Sequence, residues 1–85
     1  MNQAIQFPDR ESWNDDLKAI CFPVLVNGLQ QMCCISAEQV MRRYGGGDPE
    51  QWLSLFRLHR WDLEDEFEKM VRDEEYDSQG YFSLS

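Results

Sequence analysis

Two apolar runs, Ala19 to Val26 and Leu29 to Ile35, flank the dipeptide Asn27-Gly28. Both central positions of a type I′ turn need positive φ, and Asn-Gly meets that need at the lowest steric cost. The pattern therefore predicts a two-residue β-hairpin in which cross-strand partners have numbers summing to 55. Successive side chains in a strand point to opposite faces. One face then carries Val26/Leu29, Val24/Gln31, Phe22/Cys33 and Ile20/Ile35, and the other Leu25/Gln30, Pro23/Met32 and Cys21/Cys34. The first face is the more apolar and is expected to meet the core. Counting outward from the turn, Pro23/Met32 falls at a non-hydrogen-bonded pair, so Pro23 costs its own hairpin no bond. Its missing N–H faces outward, which predicts a sheet edge or a local break on that side.

Helical signals follow at once. Ser36 with Gln39 fits a capping box, Val40, Met41 and Tyr44 supply an apolar side, and Gly45 ends the helix. Gly45-Gly46-Gly47 leads to Asp48 as the next N-cap, with Pro49 at the first helical position. From Pro49 to about Glu75, Trp52, Leu53, Phe56, Leu63, Phe67, Met70 and Val71 form one stripe at ~100° per residue. Four residues fit it poorly: His59 lies on its edge, Arg60 within it, and Leu58 and Trp61 point away. A continuous helix here would be about 40 Å long, more than the ~31 Å expected for a domain of this size. A break near His59 to Asp62 is favoured, with Asp62 as a second N-cap and Trp61 turned inward. In an unbroken helix Leu58 and Trp61 would instead form an exposed contact spot.

Ala4 to Phe7 is expected as a short strand and Gln79 to Leu84 as a last one. Residues 9–17 read as a turn or one helical turn, with Trp13 as a lid on the core. The whole is expected to be one α+β domain over residues 1–85, an antiparallel sheet built on the Asn-Gly hairpin with two to three helices packed on one face.

Charge narrows the function. The 85 residues carry sixteen acids and eight bases, a net of −8. Residues 1–47 hold five acids and four bases, and residues 48–85 hold eleven and four, with nine acids between Asp62 and Asp77. That excess disfavours direct nucleic-acid or anionic-membrane binding and fits either a solvated helix face or a surface for a basic partner. No apolar run approaches the ~18 residues of a membrane span, and no basic-then-apolar leader opens the sequence. Cys21, Cys33 and Cys34, an odd count without a CxxC pair, read as reduced thiols in a cytoplasmic protein.

Candidate chemistry is sparse. His59, the single histidine, has Asp62, Asp65 and Glu66 within reach to orient it, but no nucleophile placed beside it. Arg60 is expected to pair with a carboxylate at the helix rim, or else to bind a ligand anion. Cys21 and Cys34 face each other as a candidate redox pair, or as two small hydrophobes. Adjacent strand residues point apart, so Cys33 and Cys34 converge poorly on one ion and no metal or other cofactor is expected. The three glycines follow a helix rather than a strand and lie among acids, which argues against a phosphate loop.

Several stretches together resemble a known group. Met1 to Glu11, Cys21-Phe-Pro with Leu25-Val-Asn-Gly28, Pro49-Glu-Gln-Trp-Leu53 and His59-Arg-Trp-Asp-Leu-Glu64 are similar to the YrdB-like family of small uncharacterised bacterial proteins. The ending Tyr81-Phe82-Ser83-Leu84 departs from that pattern, which is richer in tryptophan. The resemblance implies a compact α+β domain in a bacterial cytoplasm, with no activity or catalytic residue to carry over. The leading expectation is thus a non-enzymatic interaction or adaptor module, with Leu58, His59, Arg60, Trp61 and Asp62 as candidate interaction residues and a protein partner or a second copy as occupant. The alternatives are a regulatory ligand-binding domain with His59 and Arg60 in a pocket, and a thiol-redox protein using Cys21 and Cys34.

Overall fold

The computed structural model describes residues 4–85, so the first three residues of the Met1–Glu11 stretch lie outside it. Its hairpin is β3 (Ala19–Val26) and β4 (Leu29–Ser36), paired from Val26↔Leu29 to Ala19↔Ser36, the register in which partner numbers sum to 55. Asn27 at φ 53° and Gly28 at φ 83° make the turn. The Asn27 side-chain oxygen also accepts the Ala4 amide at 3.0 Å, which moors the strand β1 (Ile5–Gln6) against the end of β3.

A second short strand, β2 (Ser12–Asn14), pairs with the opposite end of β3. The turn expected for residues 9–17 is thus in part a strand. Ser12-Trp13-Asn14 has no alternation of its own. Its extension comes from the free edge of β3, a tertiary influence that outweighs weak local preference. The turn that does form begins at Asn14, whose side chain accepts the Leu17 amide. Trp13 packs against the core rim, its ring 5.3 Å from that of Trp52. Between β1, which pairs with Leu25 and Val26, and β2, which pairs with residues 19–21, the described residues leave Phe22, Pro23 and Val24 unpaired on that side. This is the break that Pro23 requires.

Three helices follow: α1 (Ala37–Tyr44), α2 (Pro49–Leu58) and α3 (Arg60–Arg72). Ser36 and Asp48 cap the first two by accepting the Gln39 and Gln51 amides at 3.1 and 2.8 Å. The Gln51 side chain turns back to the Gly47 amide. Gly46, at φ 88°, cannot be replaced cheaply: a Cβ there would lie 2.8 Å from the Trp52 ring. The last strand, β5 (Phe82–Leu84), lies beside Cys33, Cys34 and Ile35 and runs parallel to β4. The antiparallel sheet expected from the sequence is therefore mixed. A crossover through helices is the connection that parallel strands need, and a three-residue alternation carries no sign of strand direction.

The helices pack on the predicted face. Ile20, Phe22, Val24, Cys33 and Ile35 from the sheet meet Val40, Phe56, Leu63, Phe67 and Val71. Phe22 is central, with ring centroids 4.9 Å from both Phe56 and Phe67. A fully buried phenylalanine of this kind contributes about 1.5–3 kcal/mol. The other face of the sheet carries a smaller cluster of Ala19, Cys21 and Cys34, covered by Met32 and Tyr81.

Candidate functional site

The helix break falls at His59, where φ −104° and ψ 20° end α2 and start α3 after a single residue. Asp62 is not the second cap. It sits inside the first turn of α3, and no side chain caps that helix. Trp61 does not turn inward either: it is 85% exposed, and Leu58 is 75% exposed. The buried face of α3 is set by Leu63, Phe67 and Val71, and Trp61 lies about 200° from Leu63. A bend of one residue redirects the helix axis without carrying Trp61 around to the core. Break and exposed spot, alternatives in the sequence reading, occur together.

Side chains from distant parts of the chain hold the break. The His59 ring stacks on Tyr44 with centroids 3.8 Å apart and planes 3° from parallel, tying it to the end of α1. Arg43 donates two hydrogen bonds to the Glu66 carboxylate, at 2.6 and 3.0 Å, and so joins α1 to α3. Arg60 is the centre of the clasp. It donates to Glu64 at 2.6 Å, to Glu11 at 2.6 Å and to the Pro8 carbonyl at 2.8 Å, and lies over the Phe56 ring. Its side chain is only 12% exposed and that of Glu11 10%. Arg57 donates to the second Glu11 oxygen at 2.7 Å. Burial pushes the Glu11 carboxyl up, but the two arginines outweigh it and hold it below the ordinary carboxylate value.

The clasp explains the gap at Pro23. Residues 7–11 leave the sheet between β1 and β2, and Arg60 binds that detour to the helices. Glu64, one turn on, is the helix-rim carboxylate expected for Arg60, and Glu11 is a second one supplied by the detour. Glu11 carried no signal in the sequence, because 49 residues separate it from Arg60. Tyr44, the partner of His59, was equally silent. Arg60 faces residues 7–11 while His59 faces Tyr44, so the two do not converge on one point. An open hollow beside the stack is lined by Tyr44, Gly46, Asp48, Glu50, Gln51, Ser54 and Leu55, with neither His59 nor Arg60 in its walls. Leu58, Trp61 and Asp62 are all exposed around the break, with Asp65 exposed one turn on.

On the face of the sheet away from the helices, the Cys21 and Cys34 sulfurs are 3.1 Å apart as free thiols. Cys33 points into the core, where burial pushes its thiol up to about 12. Among the described residues no three His, Cys, Asp or Glu side chains gather as a metal site. None of the helices is long and apolar enough to cross a membrane.

Residues 5–84 match the family described as "Protein of unknown function (DUF1488)". The chain belongs to the DUF1488 family. Two full-length relatives agree with that assignment. The "Uncharacterized protein YrdB" of Escherichia coli (strain K12) is 56% identical over 84 residues, and that of Shigella flexneri 54%, each match covering 99% of both chains. A DUF1488 crystal structure from Shewanella loihica PV-4 superposes with a TM-score of 0.91 at 32% identity, covering 99% of this chain and 94% of that one. The mixed α+β architecture is therefore that of a DUF1488 protein, as the motif resemblance implied.

Proposed function

We propose that this DUF1488 protein is a non-enzymatic interaction module of the bacterial cytoplasm, whose contact surface is the outer side of the helix break. The observation that carries this reading is Trp61, 85% exposed beside the 75% exposed Leu58 on a segment that cannot easily relax. Burying an exposed tryptophan in a partner is a common source of binding energy, and a clamped backbone loses little freedom on docking. The Arg60 clasp and the Tyr44–His59 stack supply the clamp. Asp62 and Asp65 flank the apolar pair, in a half of the chain with eleven acids and four bases. An apolar spot with an acidic border suits a partner that offers an apolar pocket rimmed by lysine or arginine.

The test is affinity capture from native cytoplasm with the wild type and Trp61→Ala in parallel, followed by titration of the captured protein against both. The expected result is a basic partner that the wild type retains and the variant loses, with affinity reduced about tenfold or more, and both proteins melting alike. Two results overturn the reading: equal capture by both proteins, or a wild type that self-associates through Trp61 as a dimer in sedimentation and recruits nothing else.

A further inference from the structure

The sulfurs of Cys21 and Cys34 touch, and they do so where the backbone permits a bond. The pair is a non-hydrogen-bonded position of the β3–β4 ladder, where Cα atoms approach to about 4.5 Å, at the near limit of what a disulfide spans. From 3.1 Å, the sulfurs need to close by only about 1 Å to reach bonding distance. Cys33 points through the opposite face and cannot compete. A cavity of about 130 Å³ opens against Cys34, lined also by Ala19, Asp77, Tyr81 and Ser83, while Cys21 is not among its walls. Such a volume admits a molecule of a few atoms, a water occupying about 30 Å³ in the liquid. The loop over it is held by Asp77, which accepts the Gln79 and Tyr81 amides and the Ser83 hydroxyl.

We propose that Cys21 and Cys34 form a peroxide-oxidisable dithiol site, in which Cys34 reacts first and Cys21 closes a disulfide across the hairpin. In the first step the Cys34 thiolate attacks one oxygen of hydrogen peroxide. The O–O bond breaks, hydroxide leaves and takes a proton as water, and Cys34 becomes a sulfenic acid. Cys21 then attacks that sulfur, the S–O bond breaks and a second water departs. Two thiols lose two electrons in all, and one peroxide becomes two waters. Burial, together with the neighbouring Cys21, pushes the Cys34 thiol well above its ordinary range. The first step is consequently slow at neutral pH and quickens about tenfold per pH unit, which suits sustained rather than momentary exposure. The site is independent of the Trp61 surface, since the helices cover the other face of the sheet.

The test treats the full chain with excess hydrogen peroxide at pH 7 and pH 9, traps remaining thiols by alkylation, and maps the peptides by mass. The expected product is a monomer lighter by two hydrogens, linked Cys21 to Cys34, with Cys33 still alkylated and a rate about 100-fold higher at pH 9. Cys21→Ser should accumulate a dimedone adduct on Cys34, whereas Cys34→Ser should give none on Cys21. The proposal is overturned if wild-type Cys21 and Cys34 both remain alkylatable after the pH 9 exposure, if the link involves Cys33 or a second chain, or if dimedone marks Cys21 in Cys34→Ser. The wild-type map decides the question even where a serine variant folds poorly.

Discussion

Replacing Arg60 by alanine should cost about 3 kcal/mol of stability, and the geometry shows where that figure comes from. The main loss is the Glu11 pair, both side chains being at least 88% buried by the exposures of 12% and 10%. Breaking a fully buried pair costs about 3–5 kcal/mol, but Glu11 keeps Arg57, so about 2 kcal/mol is the appropriate share. The Glu64 contact is a part-buried i,i+4 pair worth about 0.5 kcal/mol, and the Asp9 contact, with Asp9 87% exposed, adds almost nothing. The Pro8 carbonyl and the Phe56 ring account for roughly a further 0.5–1 kcal/mol. A domain of this length is stable by roughly 4–13 kcal/mol, and each kcal/mol moves its Tm by about 4–8 °C. Arg60→Ala should therefore melt about 12–24 °C lower by circular dichroism, and Arg60→Lys, which keeps charge but not the planar fork, about half as far. A double-mutant cycle with Glu11→Ala should return a coupling of about 1.5–2.5 kcal/mol. A melt within 3 °C of wild type, or a coupling below about 0.5 kcal/mol, would refute the clasp as the element that holds residues 7–11.

Two further outcomes follow from other features. Gly46→Ala should lose about 2–4 kcal/mol in urea denaturation, because a Cβ 2.8 Å from Trp52 and 3.0 Å from Leu55 adds a clash to a backbone at φ 88°. Acid should unfold the protein over a defined window. Glu66 is lowered from 4.5 by the hydrogen bonds from Arg43, and Glu11 is lowered from 4.5 despite its burial. A carboxyl with a depressed folded value contributes stability above its unfolded value and loses it as pH falls through the folded one. Stability should accordingly hold from pH 7 to about 5 and fall below about 4.5, with a shallower fall in Glu11→Gln and Glu66→Gln, as followed by melts at fixed ionic strength.

Those residues whose roles depend on near neighbours were readable from the chain. Asn27-Gly28 fixed the register, Pro23 announced a gap beside β3, and Ser36 and Asp48 marked two helix starts, all through contacts within a few positions. The break at His59 was also visible, since Leu58, Arg60 and Trp61 spoil one straight apolar stripe. What stayed hidden depends on partners far along the chain. The edge of β3 makes Ser12–Asn14 a strand, the crossover makes β5 parallel, and Glu11 meets Arg60 across 49 positions. The pattern left Trp61 either inward or exposed, and a bend of one residue supplies no rotation that would carry it to the core. The side chains that steady the break, Glu11 and Tyr44, are those that local pattern does not reveal.

The stepped border of β3 has a consequence for the behaviour of the protein in a crowded cell. An invading strand from a neighbouring molecule needs a long, straight row of amides to zip along. Here it would meet strands of two and three residues, offset by a detour, over a proline with no proton to give. Ordered stacking from that rim stops almost as soon as it starts.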